Sequence, residues 1–262
     1  METRFGSYDI VPHPPGHRLA SDFLEWNRAG RHGALSALAD AGALQKAIES
    51  HQEAAVPWRL DALLIKALAL AVRAEPLART LCYRMPPRLV RFDDCHVTVP
   101  VRRIHRGQPV VFLVTIKDCD RRSVRDLSFE LDHLHNAPEE EVQDFDRWLG
   151  FSRLPPLLRR LIYIPMELVP GLRASGMGIF GLTCLAEDGP DEFRPVGAAT
   201  VSFGVGGLKE RPVARQGRIE VRPTLPLCML FDQRVMGPYP AAAFFRDCLR
   251  RLEAADTGGD TE

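Results

Sequence analysis

The sequence predicts an α+β sandwich built around one large mixed β-sheet. Three observations carry this. A helical pattern runs through WRLDALLIKALALAVRAEP, with apolar residues at Leu60, Leu63, Leu64, Ala67, Leu68, Ala71 and Val72, the i, i+3, i+4, i+7 stripe of a helix laid on a core. A β-branched run, PVVFLVTI, stands in a block of strand-like segments after it. The C-terminal third is a series of strand patterns closed by one amphipathic helix. Helices and strands are therefore mixed first, and strands then follow in series.

The elements are read in chain order. The first 16 residues are polar and Pro-rich and read as a loose or docking arm. His17 to Arg28 suggests a short helix, 31–39 a strand and AGALQKAIESH a helix. The helix through Leu60 is rich in Ala and Leu on its other faces, so wide burial is expected, and Pro76 stops it. RLVRFDD and CHVTVPVRRI alternate as strands do, while the continuous run PVVFLVTI suits a central strand. Ser123 opens SVRD, a capping-box pattern, for a helix running toward His135. EEEVQDFDRWL is a further helix, and Pro155–Pro156 can start another through PLLRRLIYIPMELV. GIFGLTCLA, AATVSFGVGGL, RPVARQGRIEVR and LPLCMLFDQRV read as successive strands. The closing helix, PAAAFFRDCLRRLEA, has its stripe at Ala241, Phe245, Cys248, Leu249 and Leu252. No second-domain boundary shows, so one domain over 17–254 is expected between the arm at 1–16 and a disordered tail at 255–262.

Composition narrows the function. Lys+Arg and Asp+Glu are both 34, so charge gives no reason to expect nucleic acid or an anionic membrane as partner. No apolar run approaches about 18 residues, so no transmembrane helix is expected. Cys82, Cys95, Cys119, Cys184, Cys228 and Cys248 are scattered, without a CxxC pair, which argues against a zinc site. With no signal-peptide pattern, buried free thiols in a reducing cytoplasm are the expectation.

Two segments together resemble the family of dihydrolipoyl (2-oxo acid dehydrogenase) acyltransferases and chloramphenicol acetyltransferases. LLIKALALAVRAEP resembles the family's "fl-KA-a-Al---P" helix. It is followed by the strand pair RFDDCHVTVPV and PVVFLVTIKDC and the helix after SVRDLSFEL. GIFGLTCLA resembles the "G-ftiSnlG" strand, and FGVGGLKERPVARQGRIEVRPTLPLCMLFDQRV resembles the stretch ending in "fDHRvvDG". PAAAFFRDCLRRLE matches the closing helix. The pieces cover more than half of the chain in order. The resemblance is to short members that lack lipoyl and subunit-binding domains. It implies a chloramphenicol acetyltransferase-like two-layer sandwich, a homotrimer, and an active site between neighbouring subunits. It also implies an acyl thioester donor, acyl-CoA or an acyl-carrier protein, with coenzyme A as part of a substrate and no covalently bound cofactor.

In such members the motif histidine is the general base. A Ser or Thr hydroxyl donates to the oxyanion, and an aspartate helps to hold the site. Carried onto this chain, Thr183 falls at the oxyanion hydroxyl, and Asp232, Arg234 and Val235 match the motif's frame. Gln233 stands where the histidine belongs, Gly237 where a second aspartate belongs, and Pro238 where a glycine belongs. A glutamine amide donates and accepts hydrogen bonds but takes no proton near neutral pH. Loss of a positioned base typically costs about 10²–10⁴-fold in rate. Pro238, Tyr239 and Pro240 are expected to stiffen and fill the turn. The resemblance thus implies acyl-thioester binding with ordinary acyl transfer lost or altered. The alternative is a non-catalytic pseudoenzyme, an oligomeric scaffold or a partner for an active homologue.

Other features are read structurally. All eight histidines lie at or before His135, each expected to be solvated or satisfied in the core rather than a substitute base. Cys184 follows Thr183 and should face the other side of that strand. GVGG lacks the spacing and the following helix of a phosphate loop. Glu139–Glu141 suits a helix start. Asp93–Asp94 and Asp118/Asp120 are too few carboxylates for a divalent ion and mark turns, so no metal is expected. SxxK and GxSxG are absent.

Overall fold

The structure is a computed structural model. It describes residues 2–3, 6–11, 32–84, 86–105, 107–152, 158, 161, 163–187, 189–195, 197, 199–215 and 217–259. In chain order the elements are β1 (Glu2–Thr3), β2 (Gly6–Val11), β3 (His32–Asp40), α1 (Gly42–Ser50), α2 (Leu60–Ala74), β4 (Thr80–Arg84), β5 (Pro87–Phe92), β6 (Val97–His105) and β7 (Gln108–Ile116). They continue with α3 (Val124–Asn136), a 3₁₀ turn at Glu139–Glu141, α4 (Gln143–Ser152), α5 (Tyr163–Leu168), α6 (Pro170–Met177), β8 (Phe180–Cys184), β9 (Val201–Val205), β10 (Lys209–Arg215), β11 (Arg218–Asp232) and α7 (Pro238–Glu253).

The predicted mixed sheet has seven strands, ordered β10-β11-β9-β8-β6-β7, with β3 added on β11. β8 runs parallel to both β6 and β9, and the other pairings are antiparallel. One face is covered by helices. Leu182, Phe203 and Met229 from the sheet join Leu64 and Leu68 of α2 and Phe244 and Leu252 of α7 in one core. α2 is buried almost all round, as its Ala/Leu content predicts, and each leucine so buried contributes about 1.5–3 kcal/mol. Its Lys66 is only 3% exposed and donates from Nζ to the carbonyls of Asp120 and Arg122, holding the loop after β7. The Ser123 hydroxyl caps α3 by accepting from the Asp126 amide at 3.0 Å, as the SVRD pattern predicts.

Three local expectations need revision. β7 is not central: among the described residues it pairs only with β6. Phe112, Val114 and Ile116 point into the core, but Val111 and Leu113 are 54% and 62% exposed. The run is apolar because its outer face is apolar, not because helices cover both faces. The pattern RPVARQGRIEVR splits into β10 and the start of β11, and β11 runs on through LPLCMLFD as one strand of fifteen residues despite Pro223 and Pro226. Both prolines still act as acceptors, from the Ala41 and Gly206 amides, so the ladder survives two missing donors. The N-terminal arm contributes β2, which pairs with β5 from Tyr8–Phe92 to Val11–Leu89.

The smaller sheet, β1-β2-β5-β4, has a second core around Leu81, Tyr83, Val90 and Phe92. Tyr83 donates to the Pro170 carbonyl at 3.2 Å, with the Arg173 and Arg88 guanidinium groups over its ring, pinning α6 to this sheet. Burial pushes the Tyr83 phenol well above its usual range. The helix expected at His17 to Arg28, and the start of that expected from Pro155, lie outside the described residues. At the other end Asp256 pairs with Arg251, so the first residues of the expected tail fold back on α7. Among the described residues no helix is long and apolar enough to cross a membrane.

Candidate active site

β11 ends in the turn that carries Gln233. Asp232 accepts from the Arg234 amide at 3.0 Å, and its carboxylate is gripped by the Arg234 guanidinium, Nε to Oδ1 at 2.9 Å and Nη2 to Oδ2 at 2.5 Å. Both side chains are 7% exposed. The turn closes through the Val235 and Met236 amides, which donate to the Asp232 carbonyl, and Met236 is fully buried beneath it. Asp232 is thus a framework residue whose lone pairs are already engaged. Gln233, between these two buried ions, is only half-buried.

The next residues start a helix. Gly237 is the N-cap of α7, with no side chain to cap it, and Pro238 falls in the first turn. Glycine is an acceptable N-cap and proline a favoured first residue. Gly237 and Pro238 therefore form a sound helix start. The expectation that Tyr239 fills the turn does not hold within the chain, since Tyr239 is 89% exposed.

Thr183 is on β8. Alternation puts Phe180, Leu182 and Cys184 on the core face and Gly181 and Thr183 on the outer face. Cys184 faces away from Thr183, as expected, and burial pushes its thiol up to about 12. Gly181 forms a bare floor between Thr98 of β6 and Ser202 of β9, its register partners. A Cβ there would lie 3.2 Å from Ser202 Oγ. Thr98 and Thr115 link hydroxyls at 3.3 Å on the same face. Thr183 therefore belongs to a patch of hydroxyls, of which sequence reasoning missed Thr98, Thr115 and Ser202. Each lies in a different strand segment, and only register reveals the group.

Thr183 and Gln233 do not meet within one chain. Thr183 pairs with Gly204, and Gly204 with Cys228, which sets Thr183 about 10 Å from Cys228 across two strand spacings. Gln233 comes five residues later, roughly 15 Å further along at the rise of an extended strand.

The other histidines divide clearly. His96 is 6% exposed, its Nδ1 accepts from the Asp118 amide at 3.1 Å, and burial lowers its pKa. His105 binds Glu139 at 2.7 Å, and His51 stacks on Trp58 at 3.6 Å. Burial, reinforced by Arg59, lowers His135. His13 and His17 lie outside the described residues. His32, read from the sequence like the other histidines as solvated or satisfied in the core, is set directly opposite Asp232 by the β3–β11 register, with Cα atoms about 4.5–5.5 Å apart. The Asp93–Asp94 and Asp118–Asp120 loops are joined by the Cys119 amide donating to the Cys95 carbonyl. Among the described residues no group of three or more His, Cys, Asp or Glu is placed to hold a metal ion. A cleft of about 680 Å³ lies apart from these residues in sequence, lined by His51, Trp58, Arg125 and Phe129.

No family model and no curated protein matches the sequence. Solved structures do. A probable dihydrolipoamide acetyltransferase from Listeria monocytogenes superposes with a TM-score of 0.65 at 15% identity, over 96% of this chain and 97% of that one. The cubic core of the pyruvate dehydrogenase multienzyme complex gives 0.61 at 19% identity, over 97% and 94%. Chloramphenicol acetyltransferase gives 0.54 at 12% identity, over 94% and 100%. Over nearly its whole length the chain has the fold of dihydrolipoamide acetyltransferase catalytic cores and of chloramphenicol acetyltransferase.

Proposed function

We propose that this chain is an acyltransferase-type domain that binds an acyl thioester, on coenzyme A or a carrier protein, between neighbouring copies in a homotrimer. Ordinary acyl transfer is lost or altered because Gln233 stands in the position of the general base. The observation that carries this reading is the intact frame around Gln233: the buried Asp232–Arg234 pair still builds the turn at the end of β11. Thr183 is on the far part of the sheet's outer face, so a site using both takes them from two copies. One of the similar structures is, by its name, the cubic core of a multienzyme complex, which supports assembly. An acceptor amine that is already neutral would need less help from a base than a thiol or hydroxyl.

A second reading, a non-catalytic scaffold or partner of an active homologue, is favoured by Gly237 and Pro238. They form a helix start with no carboxylate. One experiment separates the two: acyl-CoA binding and turnover by wild type, Thr183→Ala and Gln233→His. Turnover by wild type that falls about 10²–10³-fold in Thr183→Ala, the usual cost of an oxyanion donor, defeats the scaffold reading. Absence of acyl-CoA binding in every form defeats the thioester reading.

A further inference from the structure

We infer that His32 supplies the proton acceptor that Gln233 cannot, a role that rests on the acyl-transfer reading above. His32 opens β3, and its register partner is Asp232, the residue before Gln233. Directly opposed residues in an antiparallel pair carry their side chains on the same face. Asp232 alternates with Cys228 and Leu230, so His32 stands on the sheet's outer face, the face that carries Thr183. His32, Ala34, Ser36 and Leu38 are exposed along this face. Histidine is the side chain whose ordinary pKa, about 6.5, suits base catalysis near neutral pH.

The position of β3 is closely fixed. Gly33 pairs with Phe231, and the Phe231 ring crosses it so tightly that a Cβ on Gly33 would lie 2.2 Å from Phe231 Cζ. The strand can lie against β11 here only because residue 33 has no side chain. The nine-pair register from His32–Asp232 to Asp40–Thr224 then sets the imidazole beside the motif turn. The Asp232 carboxylate is held by Arg234, so the pair by His32 is a fixed dipolar wall rather than a competing base.

The step balances without a further reagent. The imidazole of His32 takes the proton of the acceptor thiol or hydroxyl as its sulfur or oxygen attacks the thioester carbonyl. The carbonyl electron pair moves to oxygen, where the Thr183 hydroxyl of another copy donates. Collapse breaks the carbon–sulfur bond of the donor, and the departing thiolate takes the proton back from the imidazolium. A thioester and an acceptor become an acylated acceptor and a free thiol.

The test uses the full chain with acetyl-CoA and a small thiol acceptor, comparing wild type, His32→Gln, Gln233→His and the double variant. His32→Gln should lose about 10²–10⁴ in kcat/KM, the usual worth of a positioned base, with acetyl-CoA affinity unchanged. Adding Gln233→His to His32→Gln should restore the rate, and added imidazole should partly rescue His32→Gly. His51→Gln, at the separate cleft, should leave the rate alone. Turnover that is equal in wild type and His32→Gln overturns the inference and leaves the acyl-transfer reading standing. Acetyl-CoA binding with no turnover by wild type also overturns it while thioester binding survives. Failure to bind acetyl-CoA in every form removes the acyl-transfer reading itself.

Discussion

The turn after β11 and the outer face of β8 are built on opposite principles. The turn is fixed by charge: two ions, each 7% exposed, grip one another through several hydrogen bonds. The β8 face is fixed by absence: Gly181 leaves a bare floor, and the neutral hydroxyls of Thr98, Thr183 and Ser202 stand around it. The charged frame is built by the residues on either side of position 233. A register-built patch is spread over several strands, and no single substitution remakes it. What the turn presents at position 233 is therefore easier to change than the hydroxyl face.

The strongest way to break the comparison is to remove the charge that builds the turn. Asp232→Ala leaves the Arg234 guanidinium buried without its carboxylate, which typically costs about 3–5 kcal/mol. The expected result is a large drop in the denaturation midpoint, measured in urea by circular dichroism. A drop no larger than that of Thr183→Ala would show that the turn is held by Met236 and the backbone rather than by charge.

The frame was largely legible in the sequence and the register was not. Leu60–Ala74 announces itself by its 3.6-residue period, and Ser123 by a local cap. Asp232, Arg234 and Val235 are legible because they fall within four consecutive positions. PVVFLVTI misleads because an apolar edge strand and a buried central one have the same composition; exposure of Val111 and Leu113 separates them only in three dimensions. His32 and Asp232 are opposed by a ladder between distant parts of the chain, and local pattern does not encode such pairing. The pairing of His32 with the turn at Gln233 was invisible for that reason.

A smaller effect comes from a histidine of the frame. Burial holds His96 neutral, with Nδ1 accepting from the Asp118 amide. Its folded pKa lies below the unfolded value, so below about pH 6.5 the unfolded chain takes up a proton that the folded chain resists. Stability should therefore fall as pH drops from about 6.5 through the folded pKa, and be flat above it from this group. Urea midpoints between pH 5 and 8 measure it. His96→Asn should shallow that fall, and a fall that is unchanged in this variant would show that another group causes it.

The smallest expected effect bears on Gly237, where the resembled motif carries an aspartate. Gly237 caps α7 through backbone alone. An aspartate there can accept from the first free amides of the helix and meet the positive end of its dipole. Relative to glycine such a cap is worth only a few tenths of a kcal/mol. Gly237→Asp should thus raise the melting temperature slightly, by calorimetry, and change turnover little while residue 233 is glutamine. In a Gln233→His background the same aspartate meets an ionisable neighbour, and an additional rise in rate is then expected beyond the sum of the two changes. Additivity between them would mean that the capping and chemical roles of this turn are independent, and that Gly237 and Pro238 record the optimisation of a helix start rather than the loss of a catalytic partner.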